Sequence, residues 1–355
     1  MKKKTLFVFL AFTLVALPLF GASKAALAKP VEVKLGLCSI WPPTHRLCTD
    51  QFPRYIAMVE KATKGKYKIN LAQYHPGMLL GGKEIFDGVC KGVVDMGTSA
   101  LAYNPGVFPV MEALAQAGIA PPKSSDAAAL ATWEFYKEFK PKEFDGAKVL
   151  YMYATGPGWI HSKGPVRHIE DIEGMTIRAT GNTARAVKAL GGSPAAMTQG
   201  EVYLALQKGL AKATIAPIEV LQGYKQAEVT DYSTFFPMGY SEQFYMVMNW
   251  DKWNSLPKDL QAAFDAVAED AVREAGALWQ YIQKEGGDYA SSKHGHKFLY
   301  FSDEESARII RRLKPIRDAY IKRVTDLGLP GEKLADEAGR LMAKYNALTY
   351  KPYVP

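Results

Sequence analysis

The chain has 355 residues, and its 44 Lys and Arg against 36 Asp and Glu give a formal net charge of +8 at pH 7. The basic residues are interspersed with acidic ones and form no basic stripe, which argues against a nucleic-acid-binding protein. A chain of this length exceeds what one hydrophobic core usually serves, so we expect two lobes.

Residues 1–28 have the pattern of an export signal. Three lysines precede an apolar run over residues 6–20, and Ala26-Leu27-Ala28 supplies a small-x-small cleavage signal. The run is shorter than the roughly 20 residues that span a bilayer, so we expect cleavage near Ala28–Lys29 and a periplasmic product without membrane insertion. An uncleaved anchor is the alternative. Cleavage removes four lysines and leaves a net charge of 8 − 4 = +4.

The first part of the mature chain alternates strand and helix patterns. Residues with period-2 alternation predict strands, and apolar residues at helical spacing predict helices between them. In chain order these are strand 31–37, helix 52–64, strand 67–71, helix 82–92 and strand 93–97. A β-α-β-α-β series predicts an open, mostly parallel sheet with helices on both faces.

A second unit of the same kind begins near residue 149. It comprises strands 149–153, 159–162 and 175–179, then helices 183–190 and 202–208. Thr198-x-x-Glu201 predicts a capping box at the start of the last helix. Strand-like runs 234–238 and 244–249 would carry the chain back between the lobes. After Pro257, an apolar stripe of about 25 residues predicts a helix that spans both lobes.

These patterns together predict an α/β protein of two lobes. We expect lobe I to comprise residues 29–150 and about 242–275, and lobe II residues 151–241 and about 276–340. Residues 341–355 would form a C-terminal tail.

Three cysteines bear on the redox state of the product. In an oxidising compartment Cys38 and Cys48 could form a disulfide and leave Cys90 over, but their spacing alone does not establish the pairing. Cys90 lies on a predicted helix, where a small buried residue is the expected role rather than a nucleophile.

Patterns that would indicate catalysis are missing from the sequence. It contains no G-x-S-x-G elbow, no P-loop and no H-E-x-x-H. His294-Gly295-His296 is a close histidine pair without acidic or thiol neighbours, so we expect a solvated loop there rather than a metal site. We therefore expect no catalytic residue, no cofactor and no metal.

Several short motifs occur in an order and spacing typical of one family. They are residues 59–65, 80–84, 92–97, 103–106, 108–109, 169–178, 190–194, 201–209 and 248–253. With these motifs the chain resembles the solute-binding subunits of TRAP (tripartite ATP-independent periplasmic) transporters, the DctP-like family, over most of the mature sequence. The segment 169–178, which ends in Gly174-Met175-Thr176-Ile177-Arg178, is similar to the family's "DlkGlkiR" signature.

The resemblance implies a two-lobed fold of the periplasmic binding protein type, class II-like. It implies a monomer that closes on a small organic acid and then docks on the permease subunits in the membrane. It also implies that Arg178 pairs with the ligand carboxylate. A guanidinium matches a carboxylate with two hydrogen bonds, although a structural arginine that ties a loop to a surface acid is the alternative.

Two departures from the family pattern concern the ligand. Gly158-Trp159 stands where relatives usually have a second arginine, and alanine at 216 stands where an asparagine is common. We therefore expect an apolar, partly aromatic pocket for an aromatic or branched monocarboxylate. The candidate ligand-binding residues are Arg178, Trp159, Gln199, Tyr103, Phe236, Trp41 and Ser99. The aromatic candidates could instead fill the lobe cores.

Other functions remain open at this point. A binding protein of an ATP-driven importer, a ligand-sensing protein for a receptor kinase and an exported enzyme would each be compatible with this architecture. The expected mechanism is closure of the two lobes around the ligand without covalent chemistry.

Overall fold

The computed structural model describes residues 29–116 and 118–348. The predicted export signal lies outside these residues, as does the end of the predicted tail. Among the residues that are described, no helix has both the length and the apolar character needed to cross a bilayer.

Eleven strands in the described ranges form two sheets. They are β1 (Val31–Ser39), β2 (Tyr67–Tyr74), β3 (Met96–Ala100), β4 (Lys148–Ala154), β5 (Trp159–Ser162), β6 (Thr176–Arg178), β7 (Ser193–Ala195), β8 (Ala213–Ala216), β9 (Tyr232–Phe235), β10 (Gln243–Met248) and β11 (Lys297–Leu299). The first sheet has the order β2-β1-β3-β10-β4 and the second the order β11-β9-β5-β8-β6-β7. We call the parts of the molecule built on them lobe I and lobe II.

Helices pack around both sheets. They are α1 (Phe52–Ala62), α2 (Ile85–Cys90), α3 (Ser125–Phe139), α4 (Gly181–Ala189), α5 (Gln199–Gln207), α6 (Val220–Gly223), α7 (Trp250–Ser255), α8 (Lys258–Ala266), α9 (Ala268–His294), α10 (Asp303–Asp326) and α11 (Gly331–Ala347). The predicted capping box is present at α5, where the Thr198 amide donates to the Glu201 carboxylate at 2.7 Å.

Both sheets are mixed, and the crossings between the lobes explain why. The chain passes from β4 to β5 and returns from β9 to β10. β5 runs antiparallel to both β8 and β9, and β10 runs antiparallel to both β3 and β4. Each of these strands enters its sheet from the cleft, whereas β1, β2 and β3 are parallel to one another and end there. The two-lobed α/β prediction is confirmed, with an antiparallel strand inserted in each sheet.

The long helix predicted after Pro257 is two helices. Val267, with ψ of 1°, separates α8 from α9. The 27 residues of α9 span both lobes: Val272 packs in the core of lobe I and Ala290 in a cluster of lobe II. At Gly286 a Cβ would lie 2.8 Å from the Ile218 carbonyl oxygen, so the absence of a side chain lets α9 approach lobe II closely.

The last two helices differ from the predicted lobe division. α10 begins on lobe II, where Leu313 is in the core, and ends on lobe I, where Val324 is in the core. In α11, Leu334 and Leu341 are buried in lobe I, although we predicted lobe II up to residue 340 and a tail beyond it. An amphipathic pattern indicates that a helix has a buried face but does not indicate which lobe covers it.

All three cysteines are free thiols. Cys38 and Cys48 are buried, and Cys90 at the end of α2 is half-buried. The Cys48 thiol donates to the Trp41 carbonyl oxygen at 3.8 Å. Burial raises the pKa of the Cys48 thiol to about 11, which keeps it protonated and unreactive at neutral pH.

The two histidines at the C-terminal end of α9 differ in exposure. His294 is exposed, as predicted, and Gly295, with φ of 63°, ends the helix. His296 is only 5% exposed, so the solvated-loop prediction is wrong for it. No group of His, Cys, Asp or Glu suited to a metal ion occurs within the described ranges.

His296 belongs to a buried chain of polar side chains in lobe II. The Ser233 hydroxyl lies 2.7 Å from His296 Nε2 and 2.7 Å from His161 Nδ1. His161 is fully buried, and this burial lowers its pKa from 6.5 to about 3. Burial also lowers the pKa of His296. Both imidazoles are therefore neutral in the folded protein at neutral pH.

We expect acid to destabilise the protein through this chain. Below pH 6.5 the unfolded chain binds a proton at His161 that the folded protein excludes down to pH about 3. The free energy of unfolding should therefore fall with decreasing pH by up to about 1.4 kcal/mol per pH unit for each such histidine. Urea unfolding between pH 7.5 and 5 measures the slope. His161→Asn should reduce it and His294→Asn should not, so equal slopes in H161N and the wild type would contradict the assignment.

Candidate functional site

A small cavity lies between the lobes where the chain crosses. Its lining combines side chains from both lobes, both crossings and α9. They are Ile40, Trp41, Tyr103, Thr155, Arg178, Gln199, Pro217, Glu219, Val220, Tyr224, Tyr240, Glu242, Phe244 and Trp279. Ligand sites in open α/β sheets lie beyond the ends of the strands, and this cavity has that position.

Arg178 is the last residue of β6 and is 3% exposed. Its Nε and Nη2 donate to the Met197 carbonyl oxygen at 3.0 and 2.9 Å, and Nη1 donates to the Ile215 carbonyl oxygen at 3.4 Å. These contacts use three of the five N–H donors of a guanidinium. No carboxylate of the described residues lies within ion-pair distance, so the buried charge is oriented by carbonyl oxygens but not neutralised.

Tyr103 joins the lobes across the cavity. It follows β3 in lobe I, and its hydroxyl oxygen accepts a 2.8 Å hydrogen bond from the backbone N–H of Gln199, the first residue of α5 in lobe II. Burial raises the pKa of Tyr103, although nearby Arg178 acts in the opposite direction, so the phenol is neutral at neutral pH. The Gln199 side chain also lines the cavity, and its buried Nε2 has no partner in the described residues.

A second interlobe contact closes the other side of the cavity. His45 Nε2 lies 3.1 Å from a Glu219 carboxylate oxygen, and both side chains are buried. A Cβ at Gly223 would lie 2.5 Å from that carboxylate, so glycine there makes room for the pair. Tyr224 adds a hydrogen bond from its hydroxyl to the Ile40 carbonyl oxygen at 3.3 Å. The structure is therefore that of a closed cleft.

The remaining wall is aromatic. The Trp41 ring meets Phe244 edge to face at 5.1 Å between centroids, and Phe244 stacks on Trp279 at 5.6 Å. Tyr240 occupies the space beside Gly158, because a Cβ there would lie 2.3 Å from its Cδ1. The absence of a side chain at 158 therefore leaves room for an aromatic ring against the cavity.

Four of the sequence-predicted residues come together here and three do not. Arg178, Tyr103, Gln199 and Trp41 line the cavity. Their roles as ligand contacts stay predictions, since the structure contains no ligand.

Trp159, Phe236 and Ser99 are buried away from the cavity. Trp159 packs edge to face against Phe235, Phe298 and Tyr300. Its neighbour Gly158 lies against Tyr240 of the cavity lining, and successive residues of an extended chain point in opposite directions. Phe236 belongs to the core of lobe II. The Ser99 hydroxyl donates to the Gly82 carbonyl oxygen at 2.7 Å within lobe I.

Sequence reasoning missed the two acidic residues of the cavity. Glu219 precedes α6, and Glu242 lies in the crossing that returns to lobe I. Burial raises the pKa of Glu242 to about 7, against opposing effects of Arg178 and the Ala102 backbone N–H. One feature of the sequence could have indicated Glu242. It is a charged residue between the strand-like runs 234–238 and 244–249, where the chain was predicted to cross between the lobes.

The comparisons with known proteins agree with this geometry. The family model of the bacterial extracellular solute-binding proteins, family 7, matches residues 39–323. The chain belongs to this family. It is similar to a TRAP periplasmic solute-binding protein from Desulfovibrio salexigens, with 30% identity over 91% of this chain and 98% of that one and a TM-score of 0.77. The resemblance to TRAP solute-binding subunits is thereby confirmed, and the family and fold are those of transport proteins.

Two further relatives have known ligand classes. A marine-metagenome TRAP solute-binding protein specific for aromatic acid ligands is 27% identical over 88% of this chain and 99% of that one, with a TM-score of 0.81. A monocarboxylate 2-oxoacid-binding periplasmic protein of Nostoc sp. is 25% identical over 224 residues, which are 60% of this chain and 59% of that protein. The match thus spans about three-fifths of that relative, and it spans about half of a Sulfitobacter solute-binding protein.

We expect Tyr103→Phe to shift the protein toward an open cleft. The change removes the hydroxyl that accepts the Gln199 N–H across the lobes, which should cost about 1 kcal/mol and lower the closed-to-open ratio roughly fivefold. Energy transfer between dyes placed on the two lobes measures this ratio.

The matched control is Tyr203→Phe. The Tyr203 hydroxyl donates to Glu228 within lobe II, so its loss should leave the ratio unchanged. A Y103F protein with the wild-type distribution of dye distances would show that this contact does not hold the cleft closed.

Proposed function

We propose that this protein captures a small monocarboxylate with an aromatic or branched body between its lobes and delivers it to the permease subunits of a TRAP transporter. The observation that carries the proposal is the buried, unneutralised guanidinium of Arg178 in a closable interlobe cavity. The protein would act in the periplasm, as a monomer, by binding alone and without chemical transformation of its ligand.

The charge of the cavity supports an acid as the ligand. A buried guanidinium with free N–H donors interacts far more strongly with a carboxylate than it would in water. The carbonyl oxygens of Met197 and Ile215 hold the guanidinium in position before the ligand arrives. Binding therefore requires little reordering of Arg178.

The wall of the cavity supports an aromatic or branched body. Trp41, Phe244 and Tyr240 offer ring surfaces to an apolar group. No second arginine lines the cavity among the described residues, which favours one carboxylate over two. The two relatives that bind aromatic acids and 2-oxoacids agree with this ligand class.

A thermal-shift screen of organic acids on the mature protein tests the ligand class. An acid present at about 100 times its Kd should stabilise the folded protein by about 2.7 kcal/mol. We expect aromatic and branched monocarboxylates to raise Tm and dicarboxylates to have little effect. A panel in which only dicarboxylates, sugars or amines raise Tm would contradict the proposal.

Arg178→Ala should abolish most of this binding. Loss of one partner of a buried charge pair costs about 2–5 kcal/mol, so the affinity measured by calorimetry should fall by at least about 30-fold. Arg312→Ala is the control, because Arg312 is 44% exposed on lobe II and pairs only loosely with Glu173 at 3.7 Å. Unchanged affinity in R178A would reject the assigned role of this arginine.

A further inference from the structure

The cavity contains acids as well as the arginine that would bind an acid. Glu219 and Glu242 both line it together with Arg178. The Glu219 carboxylate already has a partner, because one of its oxygens lies 3.1 Å from His45 Nε2. Glu242 is 8% exposed and has no cationic partner within 4.0 Å among the described residues, so its carboxyl group is the one available to a ligand.

We propose that Glu242 is a second ligand-binding residue, which acts as a neutral carboxylic acid, donates a hydrogen bond to the carboxylate held by Arg178 and, where it is ionised in the free protein, takes up a proton when the ligand binds. The proposal rests on the proposed function, because it requires an anionic ligand at Arg178. The proton comes from solvent and goes to a Glu242 carboxylate oxygen, and no covalent bond of the ligand changes.

Electrostatics gives the reason. An ionised Glu242 beside Arg178 would leave the cavity without net positive charge, and an incoming carboxylate would then add a second anion to one cation in a space closed to water. Two carboxylates that share such a site cannot both remain ionised, so one of them is protonated. Protonation replaces the repulsion by a hydrogen bond from an O–H to a carboxylate, which is among the stronger kinds.

The surroundings of Glu242 favour this proton. The other titratable or charged groups of the cavity lining are Arg178 on β6, Glu219 before α6, and Tyr103, Tyr224 and Tyr240. Burial raises the pKa of all three tyrosines, so they stay neutral at physiological pH. The parts of β10, α5 and α9 that line the cavity carry no charge, being Phe244, Gln199 and Trp279. Burial already raises the pKa of Glu242 to about 7, and a bound anion would raise it further.

The position of Glu242 in the chain makes it a built part of the site. Its backbone N–H donates to the Thr155 hydroxyl at 3.0 Å, and its carbonyl oxygen accepts from the Thr155 N–H at 3.0 Å. These bonds join the two crossings, one between β4 and β5 and the other between β9 and β10. These bonds hold the backbone of Glu242 at the hinge, and its side chain lines the same cavity as Arg178 of lobe II.

Calorimetry at several pH values tests the proposal with three probes: benzoate, phenylacetate and 4-methyl-2-oxopentanoate. For the probes that bind, affinity should be constant below pH about 7 and fall by up to about tenfold per pH unit above it, since Glu242 is then ionised in the free protein. Titrations at pH 8 in phosphate and in Tris, which differ in ionisation enthalpy, should show uptake of up to about one proton per ligand.

Glu242→Gln separates this role from a structural one. The amide is neutral and can donate a hydrogen bond, so E242Q should bind the same probes at pH 8 at least as tightly as the wild type, with no proton uptake and no fall in affinity up to pH 8.5. Glu173→Gln, on the exposed surface of lobe II, should retain the wild-type pH dependence. If E242Q does not fold, the wild-type titrations in two buffers still decide the question.

The outcomes distinguish the two proposals. Failure of all three probes to bind would overturn the proposed function and this role of Glu242 with it. Binding that is equally tight from pH 6.5 to 8.5 without proton uptake would overturn this inference alone, as would proton uptake that persists in E242Q or binding that requires added Na⁺ or Ca²⁺ to bridge the two carboxylates.

Discussion

One buried cation between the lobes is the constraint on which the rest of the site depends. Arg178 ends a short strand of lobe II with its guanidinium fixed by two backbone carbonyl oxygens and without an acid to neutralise it. A charge in this position is costly to bury unless a partner of opposite sign arrives. The closed cleft therefore favours an anion beside Arg178. In the proposed function, the interlobe contacts around it would exclude water once that anion is bound.

The interlobe contacts explain how closure would be coupled to binding in the proposed function. Tyr103 with Gln199, and His45 with Glu219, connect the lobes directly across the cavity. Each contact satisfies polar groups that an open cleft would leave to water, so each adds only a modest net free energy. The balance between open and closed forms can thus be small without a ligand and be shifted by the ligand's own interactions. The α9 and α10 helices also connect the lobes, since each packs against both of them.

The acids near Arg178 distinguish this cavity from a simple positive pocket. Glu219 contacts His45 at 3.1 Å, whereas Glu242 has a pKa near neutrality because burial outweighs the attraction of the arginine. With Tyr240 in the room left by Gly158, the cavity offers one permanent positive charge, one adjustable carboxyl group and several aromatic surfaces. Under the proposed function, such a set of groups would discriminate by the number of negative charges on a ligand as well as by the shape of its apolar body.

The sequence by itself determined the two-lobed α/β class, most strand positions and the α5 capping box, because these depend on local periodicity and on contacts within a few residues. It also singled out Arg178, Tyr103, Gln199 and Trp41, which lie at or next to the ends of strands and helices at the cleft. Only the tertiary structure decided that Trp159 and Phe236 face cores, that α11 joins lobe I, and that Glu242 shares a cavity with Arg178. Strand residues one position apart point in opposite directions, and residues 64 apart in sequence meet only through the order of strands in two sheets, neither of which a local pattern specifies.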